Sequence, residues 1–226
     1  MKKRLLFLLK LTLTVGALVY VLSQIDRTQL YTYFQKTDLV YLLLALVALN
    51  AGQLISALRL RYYLGHNGVT IPRSIAISIY YIGMLFNMVL PGGIGGDGYK
   101  AYYMCSRYAL RLRSAVRILL SSRGNGLLLL FYCTFLLAAF SPDMRALPYA
   151  LLLLTGAFPG ITLSYTLLAN YLLKEPLSVQ LGAVPYSFVV QGLVVVTAWL
   201  LLQSIGYDSN PVDYLILFMV SSIVSI

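Results

Sequence analysis

The sequence predicts an all-α, polytopic membrane protein: a bundle of transmembrane helices into which a glycine-rich hairpin dips and returns. Three observations carry that prediction. Of the 226 residues, 60% are hydrophobic and only 11% are charged, against roughly 25% charged residues in a soluble domain. The apolar residues are gathered into runs close to the ~20 residues that a membrane-spanning helix needs. The stretch Leu90-Pro91-Gly92-Gly93-Ile94-Gly95-Gly96-Asp97-Gly98-Tyr99-Lys100 cannot continue a helix, because proline lacks the amide N–H and clashes with the preceding turn, while glycine loses the most backbone entropy. Set among apolar runs, this break lies at membrane depth, where irregular backbone is tolerated only if it is buried in protein or lines a wet cavity.

The cations fit a membrane better than a nucleic acid. Seventeen Lys and Arg face seven Asp and Glu, for a formal net charge of +10. Most of them stand at the ends of apolar runs, where they orient the chain and meet anionic lipid headgroups. Cys105 and Cys133 lie within or beside apolar runs, without metal-ligand spacing, and read as small buried residues.

In chain order, Met1-Lys2-Lys3-Arg4 precedes an apolar run over 5–22. Its first half resembles a signal peptide. Bulky Tyr20, Val21 and Leu22 occupy the place of a small-residue cleavage site, so the run reads as a signal anchor. Residues 23–38 form a polar connection with Tyr31, Tyr33 and Phe34 at the interface. The second span is 39–58, with Asn50, Gln53 and Ala57 on one face turned toward other helices. A connection from Arg59 to Arg73 follows and holds His66. The run 74–90 rises roughly 25 Å as a helix, short of the ~30 Å hydrocarbon core. Beyond the break, Gly98 to Tyr108 adds two to three turns, with Lys100, Met104, Arg107 and Arg111 along one side. Neither arm spans alone, so residues 74–108 read as a re-entrant hairpin. Spans at 115–140 (carrying Arg117 and Arg123), 147–173 (with a kink at Pro159-Gly160) and 184–205 (with Gln191 and Trp199) follow. The last run, 212–226, rises roughly 22 Å and reads as a helix cut short by C-terminal truncation.

Charge counting decides between topologies. With a cytoplasmic N-terminus and a re-entrant hairpin, Arg27, Lys36 and Arg145 are the three outer cations, Arg123 lies inside a span, and the other thirteen are cytoplasmic. If 74–90 crossed fully, the later loops would flip and the count would become eight against eight. The positive-inside bias selects the hairpin.

The chemistry-bearing motifs are few. Gly93-Ile94-Gly95-Gly96-Asp97-Gly98 matches the dinucleotide pattern literally but follows a membrane arm, with no βαβ context. No phosphate-binding loop of the Gly-Lys-Ser/Thr type follows it. The single histidine, His66, sits in a connection. No catalytic set, metal site or cofactor is implied. The glycines Gly92, Gly93, Gly95 and Gly96, beside Pro91, can turn backbone N–H groups into a cavity at the start of the next helix. Asp97 either caps that helix or pairs with Lys100 or Arg123. Lys100 either snorkels to water or meets a phosphate-bearing headgroup. Arg123, deep in its span, carries a desolvation cost on the order of 2–3 kcal/mol and calls for a partner. Asn87 stands where it can satisfy backbone carbonyls freed by the break.

Ala57-Leu58-Arg59-Leu60-Arg61-Tyr62, the run from Phe86 to Tyr102, and Leu119 to Arg123 together resemble the membrane region of the lysylphosphatidylglycerol synthase/flippase family, which includes the multiple peptide resistance factor. The resemblance covers most of the chain after residue 39, and the Pro-Gly-Gly-x-Gly-Gly-Asp stretch is its specific part. The family usually has Arg where Lys100 stands and often an acidic residue where Ser122 stands. It implies a second glycine-rich motif after Ser225 and two inverted repeats meeting at a central site, of which this chain would hold half. It also implies a multi-pass protein of the cytoplasmic membrane that binds and translocates an anionic or aminoacylated lipid through Asn87, Pro91, Gly92, Gly93, Gly95, Gly96, Asp97, Lys100 and Arg123. The expected partners are membrane lipids, with homo-oligomerisation or a separate catalytic domain left open. The alternatives are the membrane region of a lipid aminoacyltransferase or polyprenyl-phosphate glycosyltransferase, or an assembly subunit without transport.

Overall fold

The structure is a computed structural model, and it describes residues 35–89, 95–142, 148–207 and 210–225 with isolated positions 12, 16, 19, 20 and 23. The expected anchor over 5–22 and the connection before residue 35 lie outside the described residues but for those positions. The described elements are all helical: α1 (Leu39–His66), α2 (Arg73–Val89), α3 (Gly95–Tyr108), α4 (Leu112–Phe140), α5 (Pro148–Tyr171), α6 (Leu177–Ser204) and α7 (Pro211–Ser225). Among them α1, α4 and α6 are long and apolar enough to cross a membrane. Their outer faces expose Leu43, Val47, Leu120, Leu136, Leu181 and Phe188, which suits a lipid solvent.

Helices α1 and α6 depart furthest from the expected limits of their spans, both for tertiary reasons. Helix α1 starts under Asp38, whose side chain accepts from the Val40 N–H at 2.8 Å. It runs past residue 58 to His66 because its late cations find partners inside the fold. Arg59 turns toward α6, and Arg61 Nε donates to the Ile71 carbonyl at 2.8 Å. His66 is therefore the last residue of α1, with its ring 4.3 Å from that of Tyr62. Helix α6 starts at Leu177 rather than at 184, since Val179 and Ala183 are buried against the end of α1 and Gln180 is buried beside Asn125 of α4. The antiparallel α1–α6 pair is the most extensive contact in the bundle. Small residues bring it close: Gly52 faces Leu193, and Gly182 lies under the Tyr62 ring. The Asp38 N–H donates to the Ser204 carbonyl at 2.7 Å and ties the far ends of the pair together.

The core lies at one end of the bundle. Leu60, Tyr63 and Leu64 of α1 pack there with Ala76 of α2, Met104 of α3, Ala115 and Ile118 of α4, and Ala183 of α6. That cluster joins the end of α1, the start of α2, the finish of α3 and the start of α4. Both hairpin arms therefore open at the same end, and the hairpin enters and leaves on one side. At the opposite end the Ser141 hydroxyl donates to Asp213 Oδ1 at 2.6 Å, joining the finish of α4 to the start of α7. Cys105 and Cys133 are half-buried rather than buried, Cys105 packing against the edge of the core.

Candidate functional site

The hairpin is closed by two glycines. A Cβ on Gly96 would run into the Gly83 carbonyl oxygen and stand 2.8 Å from Asn87 Oδ1. One on Gly83 would lie 3.2 Å from the Gly96 carbonyl. The arms cross here almost backbone to backbone. The Phe86 and Tyr99 rings, 5.0 Å apart, stack across the same crossing. Helix α3 begins at Gly95, three residues before the expected Gly98. Asp97 is accordingly a first-turn residue and not the cap. Asn87 also departs from its expected role, since Oδ1 accepts from the Gly96 N–H at 2.6 Å instead of donating to a carbonyl. It satisfies one of the first-turn amides that have no partner within a helix. That N–H, expected to face a cavity, is taken. Gly95 opens the helix and has no side chain to add, while Pro91, Gly92 and Gly93 lie outside the described residues.

Beyond the crossing, the chemistry gathers on Asp97. Its Oδ2 meets Arg123 Nε at 2.5 Å and its Oδ1 meets Lys100 Nζ at 3.2 Å. The sequence left Asp97 open between cap and ion pair, and the carboxylate bridges both cations. Lys100 does not snorkel: it is 7% exposed, and its Nζ sits 4.0 Å over the Tyr80 ring, a cation–π geometry. Arg123 stands eleven residues into α4, roughly 16 Å from the end where the hairpin opens. That places the ion pairs near mid-depth.

A third cation completes the site, and sequence reading placed it in a loop. Arg59 is 7% exposed. Its Nη1 donates to Ser187 Oγ at 2.8 Å, and Ser187 donates to Asn125 Oδ1 at 2.5 Å. Asn125 Nδ2 in turn donates to the Gln180 carbonyl at 3.1 Å. The guanidinium lies against Gly126, where a Cβ would be 2.9 Å from Nη1. Among the described residues its Nε has no hydrogen-bond partner. A cavity of about 180 Å³ brings Arg59, Lys100, Arg123 and Asp97 together, with Gln53, Asn87 and Ser122 on its wall. One signal pointed to Arg59: Gly52 and Ser56 prepare a small-residue face two turns and one turn before it. The wall carries three formal positive charges and one negative, and it holds no histidine or cysteine. The described wall is therefore net positive.

A model of the lysylphosphatidylglycerol synthase transmembrane region matches residues 7–185. The chain belongs to that family. The match takes in the hairpin, the Arg123 helix and every residue of the cavity wall. No curated protein and no solved structure matches the chain. Membership makes this lysylphosphatidylglycerol synthase-type domain a membrane domain linked to lipid modification or lipid flipping.

Two variants test how the site is built. Asn87→Ala strands the buried Gly96 N–H and is expected to lower stability by about 1–3 kcal/mol, read as a fall in thermal midpoint in detergent. An unchanged midpoint would show that Asn87 does not hold the hairpin. Arg59→Met keeps the aliphatic stem but removes the donor to Ser187. The change relieves the cost of burying a charge, and Ser187 keeps its bond to Asn125. Its expected result is a wild-type thermal midpoint with weaker anion binding, and unchanged anion binding would remove Arg59 from the site.

Proposed function

We propose that the cavity receives the anionic headgroup of a membrane lipid and that the domain moves that lipid across the cytoplasmic membrane, with acyl chains left in the bilayer. The observation that carries this reading is the convergence of Arg59, Lys100 and Arg123 on one cavity at mid-depth in an apolar bundle, where a single carboxylate, Asp97, pairs with Lys100 and Arg123. A cation at the centre of a span costs about 2.5–3.5 kcal/mol on insertion scales. Three of them with one internal counter-ion leave an excess of positive charge that a phosphate would neutralise. Asp97 holds two of the cations and stands where a phosphate oxygen would bind. The hairpin's open end displays exposed Arg73, Arg107, Arg111 and Arg113, which supports a cytoplasmic opening and a cytoplasmic N-terminus.

The test is reconstitution in liposomes carrying a trace of head- or chain-labelled phosphatidylglycerol or phosphatidylcholine, with a membrane-impermeant quencher reporting the exposed leaflet. Faster exchange of the anionic lipid than of phosphatidylcholine is the expected result. Equal rates for both lipids, or rates equal to protein-free liposomes, would overturn it. The family's name favours a second reading, in which the domain presents lipid to a synthase. Lipid aminoacylation by the full-length protein without lipid exchange would select that reading.

A further inference from the structure

A second cavity shares one residue with the first. Between α4 and α5 runs an apolar groove of about 570 Å³, walled by Leu120, Leu127 and Phe131 of α4, by Tyr165 and Leu168 of α5 and by Leu172 just past its end. Its volume falls in the range of roughly 300–1,000 Å³ typical of ligand pockets. Along α4 it extends from Arg117 to Phe131, roughly 21 Å of helix, which exceeds half of a ~30 Å hydrocarbon core. Arg123 belongs to both walls, the groove's and the cationic cavity's. Next to it, Gly124 leaves the backbone bare, so that the Tyr165 ring lies on it with the hydroxyl 3.5 Å from the Ser121 carbonyl. Toward the far end, Tyr132 stacks on Phe158 at 4.2 Å and bonds Thr162, closing α5 onto α4.

We infer that this groove holds an acyl chain of the same lipid whose phosphate enters the cavity, with Arg123 as the joint between the two. The inference rests on the proposed function and adds where the chain goes. Any groove on a bilayer-embedded bundle is wetted by lipid, so the groove alone decides nothing. What singles it out is its junction. An occupant that covers both the groove and the cavity must be apolar along most of its length and anionic at one end. The fold supplies its own comparison: the groove of about 680 Å³ among α1, α6 and α7 is lined by Leu42, Leu201, Tyr214 and Phe218 without a charged side chain. Bulk lipid of any headgroup suits that one.

The sole tryptophan, Trp199, makes a fluorescence test direct. In a Trp199→Phe background, a reporter is placed by Leu168→Trp in the α4–α5 groove or by Leu201→Trp in the uncharged one. Leu168 is 48% exposed and accepts the larger ring; Leu172, 65% exposed, provides an alternative reporter by Leu172→Trp if the first protein does not fold. Each protein is incorporated in vesicles containing phosphatidylglycerol or phosphatidylcholine with brominated acyl chains at equal mole fraction. The expected result at Leu168→Trp is about fivefold tighter quenching by brominated phosphatidylglycerol, the scale of one cation's ~1 kcal/mol attraction to an anionic lipid. That preference falls to unity on adding Arg123→Gln, and the Leu201→Trp reporter shows none. Equal quenching by both lipids at Leu168→Trp, or a preference that survives Arg123→Gln, would overturn the inference. The exchange assay separates the two claims. Retained anionic-lipid exchange without groove preference sinks the chain site alone, whereas groove preference without exchange supports the chain site and sinks transport.

Discussion

Arg123→Ala is expected to slow anionic-lipid exchange in liposomes at least about tenfold, equivalent to ~1.4 kcal/mol on the barrier, while the protein still folds. The guanidinium lies 2.5 Å from Asp97 Oδ2, and it also joins the cavity to the α4–α5 groove. Removing it lowers the formal charge of the wall by one and leaves Lys100 as the only cation on Asp97, so the ammonium is held by the carboxylate and withdrawn from an incoming phosphate. Stability suffers less, because the Arg123 side chain is 33% exposed and Asp97 keeps its contact with Lys100, for a cost of about 1 kcal/mol. Arg123→Lys keeps the charge but loses the planar fork, so partial activity is expected. Asp97→Asn acts in the opposite direction: it frees both cations, and tighter headgroup binding with slower release should follow. The double variant Arg123→Ala/Asp97→Asn restores the wild-type formal charge and should recover binding in part. Recovery no better than in the single variant would assign Arg123 its role by geometry rather than by charge. Wild-type exchange by folded Arg123→Ala would remove the cavity from the mechanism altogether.

The helices and the hairpin were legible because their causes are local. Runs of Leu, Val and Ile at spanning length need no tertiary information, and neither does a proline followed by glycines. Arg123 was legible for a different reason: a charge at membrane depth is costly wherever the chain takes it, so it asked for a partner, and Asp97 and Lys100 were within the alternatives left open for their own roles. Arg59 failed that test because it sits where an apolar run ends, and a cation there looks like an interface anchor. Its burial depends on Ser187, 128 residues later, and on the bare backbone at Gly126. The start of α3 was misplaced for a related reason. Glycine costs up to ~1 kcal/mol per residue in a helix, and Gly95, Gly96 and Gly98 argued for a later start. Packing against α2 and the bond to Asn87 outweigh that cost. Gly83 gave no sign at all, since a glycine in an apolar run looks the same whether or not another backbone lies on it.

The three glycines of the crossing region should respond in opposite directions to the same change. Gly98 is exposed and a Cβ there meets nothing within 4 Å, so Gly98→Ala is expected to stabilise α3 by up to ~1 kcal/mol through helix propensity alone. Gly83→Ala gains the same propensity, but its methyl would press on Lys100 Cε at 2.9 Å and the Gly96 carbonyl at 3.2 Å. The lysine stem can yield, and the result should be near neutral or mildly destabilising. At Gly96 the obstacle is the Gly83 carbonyl itself, part of a helical backbone that cannot swing aside. Overpacking of that kind costs about 1–3 kcal/mol, more than propensity returns, and Gly96→Val should exceed Gly96→Ala. Thermal midpoints in detergent are therefore expected to fall in the order Gly98→Ala, wild type, Gly83→Ala, Gly96→Ala, Gly96→Val. A Gly96→Ala protein more stable than wild type would show that the arms do not cross here. Function should follow the same order from Gly83 onward, because lifting α3 off α2 draws Asp97 and Lys100 away from Arg123 and separates the charges that make the cavity.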